Sequence, residues 1–347
     1  MNSCLFTKSF QAAVKPGKAC GPDNLSSKDL KLCEEATVHG LHKVFQKSIA
    51  TGNFPQEWKN AKVTCIYKNK GSKKDCTNYR PVSLLSIPSK VIEHYICSIL
   101  NDHFQTNSIL SPHQWGFRSQ HSTEDLLLRM TEDWYKAIND GKVIAVLFID
   151  FKKAFDSVSH KILLKKLAAA GITGDLYEYI SSYLSHRTQF TKVNGVESER
   201  AKVDYGVPQG SLVGPTCFSI SVNDMHEVSC DNNDTELEMF ADDTTIYEIG
   251  NTVDEAVSKL QITTDNLSEY TSRNSLTIHP GKCELLIISR NNFFGPVNTV
   301  RINNVCVKVV DNSKSIGLII DSKLSWNTHV QAQSKSFFVK LKKTISV

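Results

Sequence analysis

The residues best suited to chemistry in this chain are two adjacent carboxylates, Asp242 and Asp243. They sit inside Leu237-Glu238-Met239-Phe240-Ala241-Asp242-Asp243-Thr244-Thr245-Ile246-Tyr247. Short apolar segments flank them, so the stretch reads as strand, tight turn, strand with the acids at the tip. Side chains alternate faces along a strand, so neighbouring aspartates share a face only where a turn re-aims one of them. Like charges that close repel, and a cation held by carboxylate oxygens is the usual remedy. Alone, the pair is far better explained by a polar hairpin turn, by ~10 to 1, because Asp is a common turn former. A metal site needs a third carboxylate, and phosphoryl chemistry needs a grip on phosphate besides.

Three further stretches supply those parts. Val143-Ile144-Ala145-Val146-Leu147-Phe148-Ile149 is a continuous apolar run of strand length, buried on both faces, and it ends at Asp150-Phe151-Lys152-Lys153-Ala154-Phe155-Asp156. A carboxylate closing a buried strand is costly unless paired or bound to metal. Lys68-Asn69-Lys70-Gly71-Ser72-Lys73-Lys74-Asp75, leading to Asn78-Tyr79-Arg80-Pro81, is the densest positive charge in the chain. It reads either as a solvated loop or as a flexible grip on a polyphosphate, with Arg80 as the forked donor. Gly206-Val207-Pro208-Gln209-Gly210-Ser211-Leu212-Val213-Gly214-Pro215 fixes a loop that a ligand's backbone or sugar can approach closely.

The elements that must position these groups follow from pattern. A helix opens at Ser26-Ser27-Lys28-Asp29 and runs to Thr51-Gly52-Asn53; a strand covers Ala61 to Tyr67; helices cover 88–106 and 122–139. Ser159 caps a helix that Gly171 closes, and another spans about 174–186. Asn194-Gly195 is a two-residue hairpin signal, Val253 to Ser275 is helical, and Leu285 to Ser289 begins a further β region. Residues 1–20 show little periodicity and read as a linker. Gln114-Trp115-Gly116-Phe117-Arg118 interleaves aromatic and basic groups, as suits stacking on bases, though a packed loop capping the next helix is equally cheap.

With 347 residues, 40% hydrophobic and 22% charged, the chain can bury a sizeable core in two or three subdomains. Its net charge of +4 does not by itself mark a nucleic-acid binder. The ten cysteines lack Cys-x-x-Cys or finger spacing, so they read as reduced thiols of an intracellular protein. No apolar run approaches the ~18 residues of a membrane span, and the start lacks a secretory signal; cytoplasm or nucleus is expected.

The order of parts carries more than any one of them. From about Gly21 to the tail, the chain resembles the reverse transcriptases of non-LTR (LINE-type) retrotransposons. The Asp150–Asp156 stretch is similar to the family's first catalytic motif, Gly206–Ser211 to its template- and nucleotide-positioning loop, and Phe240–Asp243 to its acidic hairpin. Asn78–Leu84, Gln114–Arg118 and Leu318-Ile319-Ile320-Asp321-Ser322-Lys323-Leu324-Ser325-Trp326 fit its fingers and primer-grip segments.

The resemblance implies an α+β right-hand polymerase: fingers over 21–142, a palm over 143–320 with finger contributions near 187–205, and a thumb cut short over 321–347. The palm is expected to be an antiparallel sheet backed by helices. Asp150, Asp242 and Asp243, with the Phe151 carbonyl, are expected to hold two Mg²⁺, with Mn²⁺ as the alternative ion. Arg80 and Lys68 are expected on the incoming deoxynucleoside triphosphate, Lys282 near its leaving pyrophosphate, and Phe155 as a gate against the ribose 2′-hydroxyl. Gln209 is expected under the nascent pair, contacting the incoming nucleotide and the RNA template, with Gly206, Pro208 and Gly210 along template and primer and Gly317 at the DNA primer terminus. Phe240, His279 and Ser315 depart from the Tyr, Asn and Tyr frequent in the family. The alternative is an inactive retroelement relic, or an RNA-binding scaffold of the same fold. Nothing in the sequence sets the oligomeric state.

Overall fold

The computed structural model describes residues 3–32, 34–229, 235–291 and 298–345. Residues 1–2, 33 and 346–347, which belong to the start, first helix and tail of the sequence reading, lie outside that set. The chain forms two compact units: Met1–Leu110 with Lys153–Val222, and Ser111–Lys152 with Asn223–Val347.

The second unit is built on the strand Val143–Ile149, apolar at every position and buried at all but Phe148. It lies at the centre of a five-stranded sheet, between Asp243–Gly250 and Glu284–Ile288, both antiparallel to it. Thr235–Phe240 pairs antiparallel outside Asp243–Gly250. The expected antiparallel sheet therefore holds for four strands. The fifth, Lys308–Val310, pairs parallel with Glu284–Ile288. A parallel neighbour requires the chain to be carried back first, and the small hairpin Arg301–Ile302/Val305–Cys306 lies in the connecting stretch.

One face of the sheet is covered by helix Thr123–Asn139. Its Leu126, Met130, Trp134 and Ala137 form a single stripe that packs on Ile144, Val146, Tyr247, Leu286 and Ile288. Ser122 and Asp125 close the helix start as a reciprocal capping box. The other face takes helix Val253–Arg273, whose Thr263 donates to the buried Glu248 at 3.1 Å. The hairpin Asn312–Ser315/Leu318–Asp321 turns at Ile316 and Gly317, with φ of 49° and 90°. Positive φ at both central residues is the type I′ pattern, which explains glycine there locally.

Asp321 ends that hairpin and organises the next turn. Its carboxylate accepts from the N–H groups of Lys323 (3.0 Å), Ser325 (3.0 Å) and Trp326 (2.9 Å) and from the Ser325 hydroxyl at 3.1 Å. Burial pushes the Asp321 carboxyl up, but these donors outweigh it and hold it below the usual carboxylate range. A lowered folded value means stability that is present above the unfolded value and lost as pH falls below it. Asp321→Asn is expected to cost about 1–3 kcal/mol at pH 7. In urea melts of both proteins, the difference is expected to shrink as pH drops through the ordinary Asp value of about 3.9.

The first unit has its own five-stranded sheet. Asn60–Tyr67 pairs antiparallel with Tyr79–Leu84 and parallel with Arg187–Val193, which continues antiparallel to Val196–Glu197 and Ala201–Val203. Asn194 and Gly195 make the expected two-residue turn, with φ of 50° and 85°. Helices Ile87–Thr106, His160–Ala169 and Gly174–Leu184 fall close to the expected spans, and Val213–Ser221 follows the Gly/Pro loop. The helix expected from Ser26 to Thr51 is seen as Ser27–Leu32 and Glu34–Ala50.

The linker expected over residues 1–20 is corrected, because Ser3–Ala13 is a helix. Phe6, Phe10 and Val14, four residues apart, are 1%, 0% and 0% exposed, and Phe6 meets Phe45 edge-on at 5.4 Å. Three apolar residues in one stripe are too short a pattern to read against their polar surroundings. No helix among the described residues is long and apolar enough to cross a membrane.

Candidate active site

Asp150 closes the central strand of the second unit. Ile149 pairs with Thr244, so Asp150 stands level with Asp243 across the strand ends. Its backbone is braced: the Asp150 carbonyl accepts from His279 N at 2.8 Å, and Lys152 N donates to the Thr277 carbonyl at 2.8 Å. Between those bonds Phe151 faces Ile278 in a non-hydrogen-bonded pair, so its carbonyl is not used by Ile278. The side chain is different. Asp150 Oδ1 is buried and has no hydrogen-bond partner among the described residues. Lys282 Nζ stands 3.5 Å from that oxygen, and both side chains are open to solvent, so the pair alone adds little.

The acidic hairpin puts Ala241 and Asp242 in a two-residue turn between Phe240 and its partner Asp243. Ala241 has φ of 59°, the left-handed region, and Asp242 does not. That is the type II′ pattern, whose first central position favours glycine. The turn re-aims Asp242, as two adjacent acids on one site require. Burial raises the Asp242 carboxyl above its usual range, and the Asp150 charge adds to it. Burial, then Asp242, then Asp150 raise Asp243. The Asp150 charge thus reaches both hairpin carboxyls, and Asp150 adds an oxygen that makes no hydrogen bond among the described residues. An acceptor-only set of hard oxygens fits divalent Mg²⁺ or Mn²⁺.

A second acidic group lies nearby. His113, Glu236 and Glu238 bring ligand atoms within 4.8 Å of one another. The centre of that trio is already taken by Arg129, 3.0 Å from Glu238 and 3.5 Å from Glu236, and by Trp115 Nε1, 2.6 Å from Glu238. It holds its cation within the chain.

The remaining expected residues, apart from Lys282 and Gly317, lie in the first unit. Arg80 and Lys68 are exposed at the end of the Asn60–Tyr67/Tyr79–Leu84 pair that the 68–78 loop closes, where Ile66 faces Arg80. Lys68 Nζ donates to the Thr77 carbonyl at 3.0 Å, which leaves further donors on the ammonium. Phe155 stacks on Phe218 with ring centroids 4.4 Å apart. The Gly206–Gly210 loop is stitched down on two sides. Gly206 N donates to the Val158 carbonyl at 2.8 Å, Val207 N to Phe155 at 2.9 Å, and Ser83 N donates to the Gln209 carbonyl at 2.7 Å. Gln209 Nε2 donates to Asp156 Oδ1 at 3.0 Å. Burial raises the Asp156 carboxyl, with Gln209 and Lys153 opposing. A cleft of about 670 Å³ lies along Pro208, Gln209, Asp156, Lys153 and Lys202.

The residues that hold these parts in place are largely ones the motifs did not single out. Buried Glu93 accepts from Leu212 N at 2.7 Å and so fixes the end of the Gly/Pro loop. In Gln114–Arg118, Trp115 is tied to Glu238, and Arg118 donates to the carbonyls of Ser111 and Gln114 at 2.7 and 2.9 Å. Packing within the chain, one of the two equally cheap readings, accounts for both. Interleaved aromatic and basic residues look alike in sequence whether they stack on bases or on their own chain.

A mixed α+β chain with an acidic hairpin beside a buried strand end defines a right-hand polymerase fold. The solved structure of apo telomerase from Candida tropicalis truncated from its C-terminal domain shares it, with a TM-score of 0.54 over 78% of this chain and 55% of that one, at 13% identity. Residues 68–324 match the family described as reverse transcriptase (RNA-dependent DNA polymerase), and the chain belongs to that family. It is 29% identical to the RNA-directed DNA polymerase from mobile element jockey of Drosophila melanogaster, over 96% of this chain and 37% of that protein. It is 28% identical to the probable RNA-directed DNA polymerase from transposon BS of the same fly, over 93% and 36% respectively. The chain thus spans a little over a third of these relatives' length.

Proposed function

We propose that this chain carries the polymerase core of a retrotransposon and copies RNA into DNA by adding deoxynucleotides to a primer 3′-hydroxyl. The observation that carries the reading is Asp150: a strand-end carboxylate whose buried Oδ1 makes no hydrogen bond among the described residues and has the Lys282 ammonium 3.5 Å away, level with Asp243 and raising, together with burial, the carboxyls of both Asp242 and Asp243. In this reading Asp150, Asp242, Asp243 and the Phe151 carbonyl hold two Mg²⁺, or Mn²⁺. Bound there, the ions lower the pKa of the attacking hydroxyl and neutralise charge on the triphosphate.

The chain's own residues do the rest. Arg80 and Lys68 bind phosphate oxygens of the incoming triphosphate. Lys282, already at the Asp150 carboxylate, gives a proton to the departing pyrophosphate. Gln209, held by Asp156 and Ser83, lies under the template with Gly206, Pro208 and Gly210, while Gly317 carries the primer terminus. Positioning and charge stabilisation are most of what phosphoryl transfer requires. The fingers are assigned to 21–142, the palm to 143–320 with finger contributions near 187–205, and the first of the thumb to 321–347; helix Thr123–Asn139, at the end of the fingers span, packs on the palm sheet. The nucleus or cytoplasm is the proposed setting, with RNA template, DNA primer and deoxynucleoside triphosphates as partners.

Phe155 makes the reading testable through the sugar. Its ring is fixed on Phe218, so it works as a rigid wall. Primer extension on an RNA template is expected to favour deoxynucleotides, and Phe155→Val is expected to raise the relative use of ribonucleotides about 10- to 100-fold. Incorporation by the native chain with no preference between the sugars contradicts the assignment.

A further inference from the structure

We infer that Gln114 is a positioning residue for the catalytic aspartates, acting through the backbone of the acidic turn. The inference rests on the proposed role of Asp242 and Asp243 in holding divalent ions. The observations lie within the second unit and begin with pairing. Met239 N donates to the His113 carbonyl at 2.9 Å, and Trp115 N donates to the Met239 carbonyl at 2.8 Å. Residues 113–115 are thereby laid parallel along the hairpin strand that delivers the acids.

Gln114 itself is completely buried. Its Oε1 accepts from its own loop at Gly116 N (3.0 Å) and from Ala241 N (3.3 Å). Ala241 is the residue before Asp242, held at φ of 59°. An alanine in that conformation costs on the order of 1–2 kcal/mol, so the turn persists only where its surroundings hold it. The glutamine oxygen supplies that hold at the N–H of the strained residue. Gly116 completes the fit, because a Cβ there would stand 2.3 Å from Ala241 N and 3.0 Å from its Cα. The loop is anchored at its far side by Glu238, which accepts from Trp115 and pairs with Arg129. Removing the Gln114 acceptor frees the turn to relax, and Asp242 then leaves the face it shares with Asp243.

The test is Mn²⁺ binding to the full chain, read by electron paramagnetic resonance, with thermal melting as the check on fold. Gln114→Met keeps the buried volume without the acceptor. It is expected to weaken Mn²⁺ binding about 10- to 100-fold, as loss of a group supporting metal ligands does. Gly116→Ala leaves Gln114 intact and forces the same turn sterically, and it is expected to weaken binding to a similar degree. Both variants are expected to retain the cooperative melt. Gln114→Met that binds Mn²⁺ as tightly as the native chain overturns the inference while leaving the metal site standing. A native chain that binds no Mn²⁺ overturns both.

Discussion

Asp150→Ala is expected to lower templated nucleotide incorporation by about a thousandfold or more while the chain stays folded, because several kcal/mol of charge stabilisation are lost with the ligand. Asp242→Asn and Asp243→Asn are expected to fall in the same range, and combining any two is expected to add little to either alone. Residues that serve one site as a unit are not additive. The substitutions are safe for the fold because Asp150 Oδ1 has no internal hydrogen bond to lose and both hairpin acids reach solvent at the tip of the turn, where the surrounding chain desolvates them only in part. Removing the Asp150 charge also lowers the carboxyls of Asp242 and Asp243, since Asp150 raises both. In the native chain the raised values predict that divalent-ion binding is lost on acidification earlier than ordinary aspartates would allow, in a pH titration of Mn²⁺ affinity.

Gly206→Ala is expected to destabilise the first unit by more than about 3 kcal/mol. Two effects add: Gly206 has φ of 82°, and a Cβ there would sit 2.6 Å from the Asp156 carbonyl oxygen and 2.7 Å from its Cα. Neither obstacle is the end of a flexible side chain. Both are backbone of the turn that carries Phe155, so the loop and that turn would have to separate. The comparison that isolates the clash is Gly195→Ala, where φ is 85° and a Cβ would meet nothing within 4 Å. Gly195→Ala is expected to cost only the left-handed backbone term, about 1–2 kcal/mol. Denaturant melts of the two variants read the difference. Because Gln209 is held to Asp156 from the same loop, Gly206→Ala is also expected to weaken nucleotide use more than its stability loss implies.

Much of the framework could be read from residue patterns. A seven-residue apolar run is buried strand wherever it occurs in a sheet core, and Val143–Ile149 has that place. Asn194-Gly195 made its hairpin, Ser122 and Ser159 made their caps, and the acidic pair lay at a turn between strands. The reverse transcriptase family could be named from motif order alone. What resisted reading was pairing at long range. Nothing local in Gln114-Trp115-Gly116 says that it lies along Met239, more than a hundred residues away, or that Gln114 holds Ala241. Likewise the parallel join of Lys308–Val310 depends on where the chain returns, not on its composition. Chain order also hides the units themselves, because each takes two separate segments.

The most direct test of the three-aspartate account is single-nucleotide incorporation on RNA templates that differ only in the base opposite the primer end. With Mg²⁺ present, the purified chain is expected to add the complementary deoxynucleotide for each of the four bases, and to lose that activity with Asp243→Asn. Salt-dependent RNA binding with no incorporation by the native chain, or incorporation that survives Asp243→Asn, would contradict it.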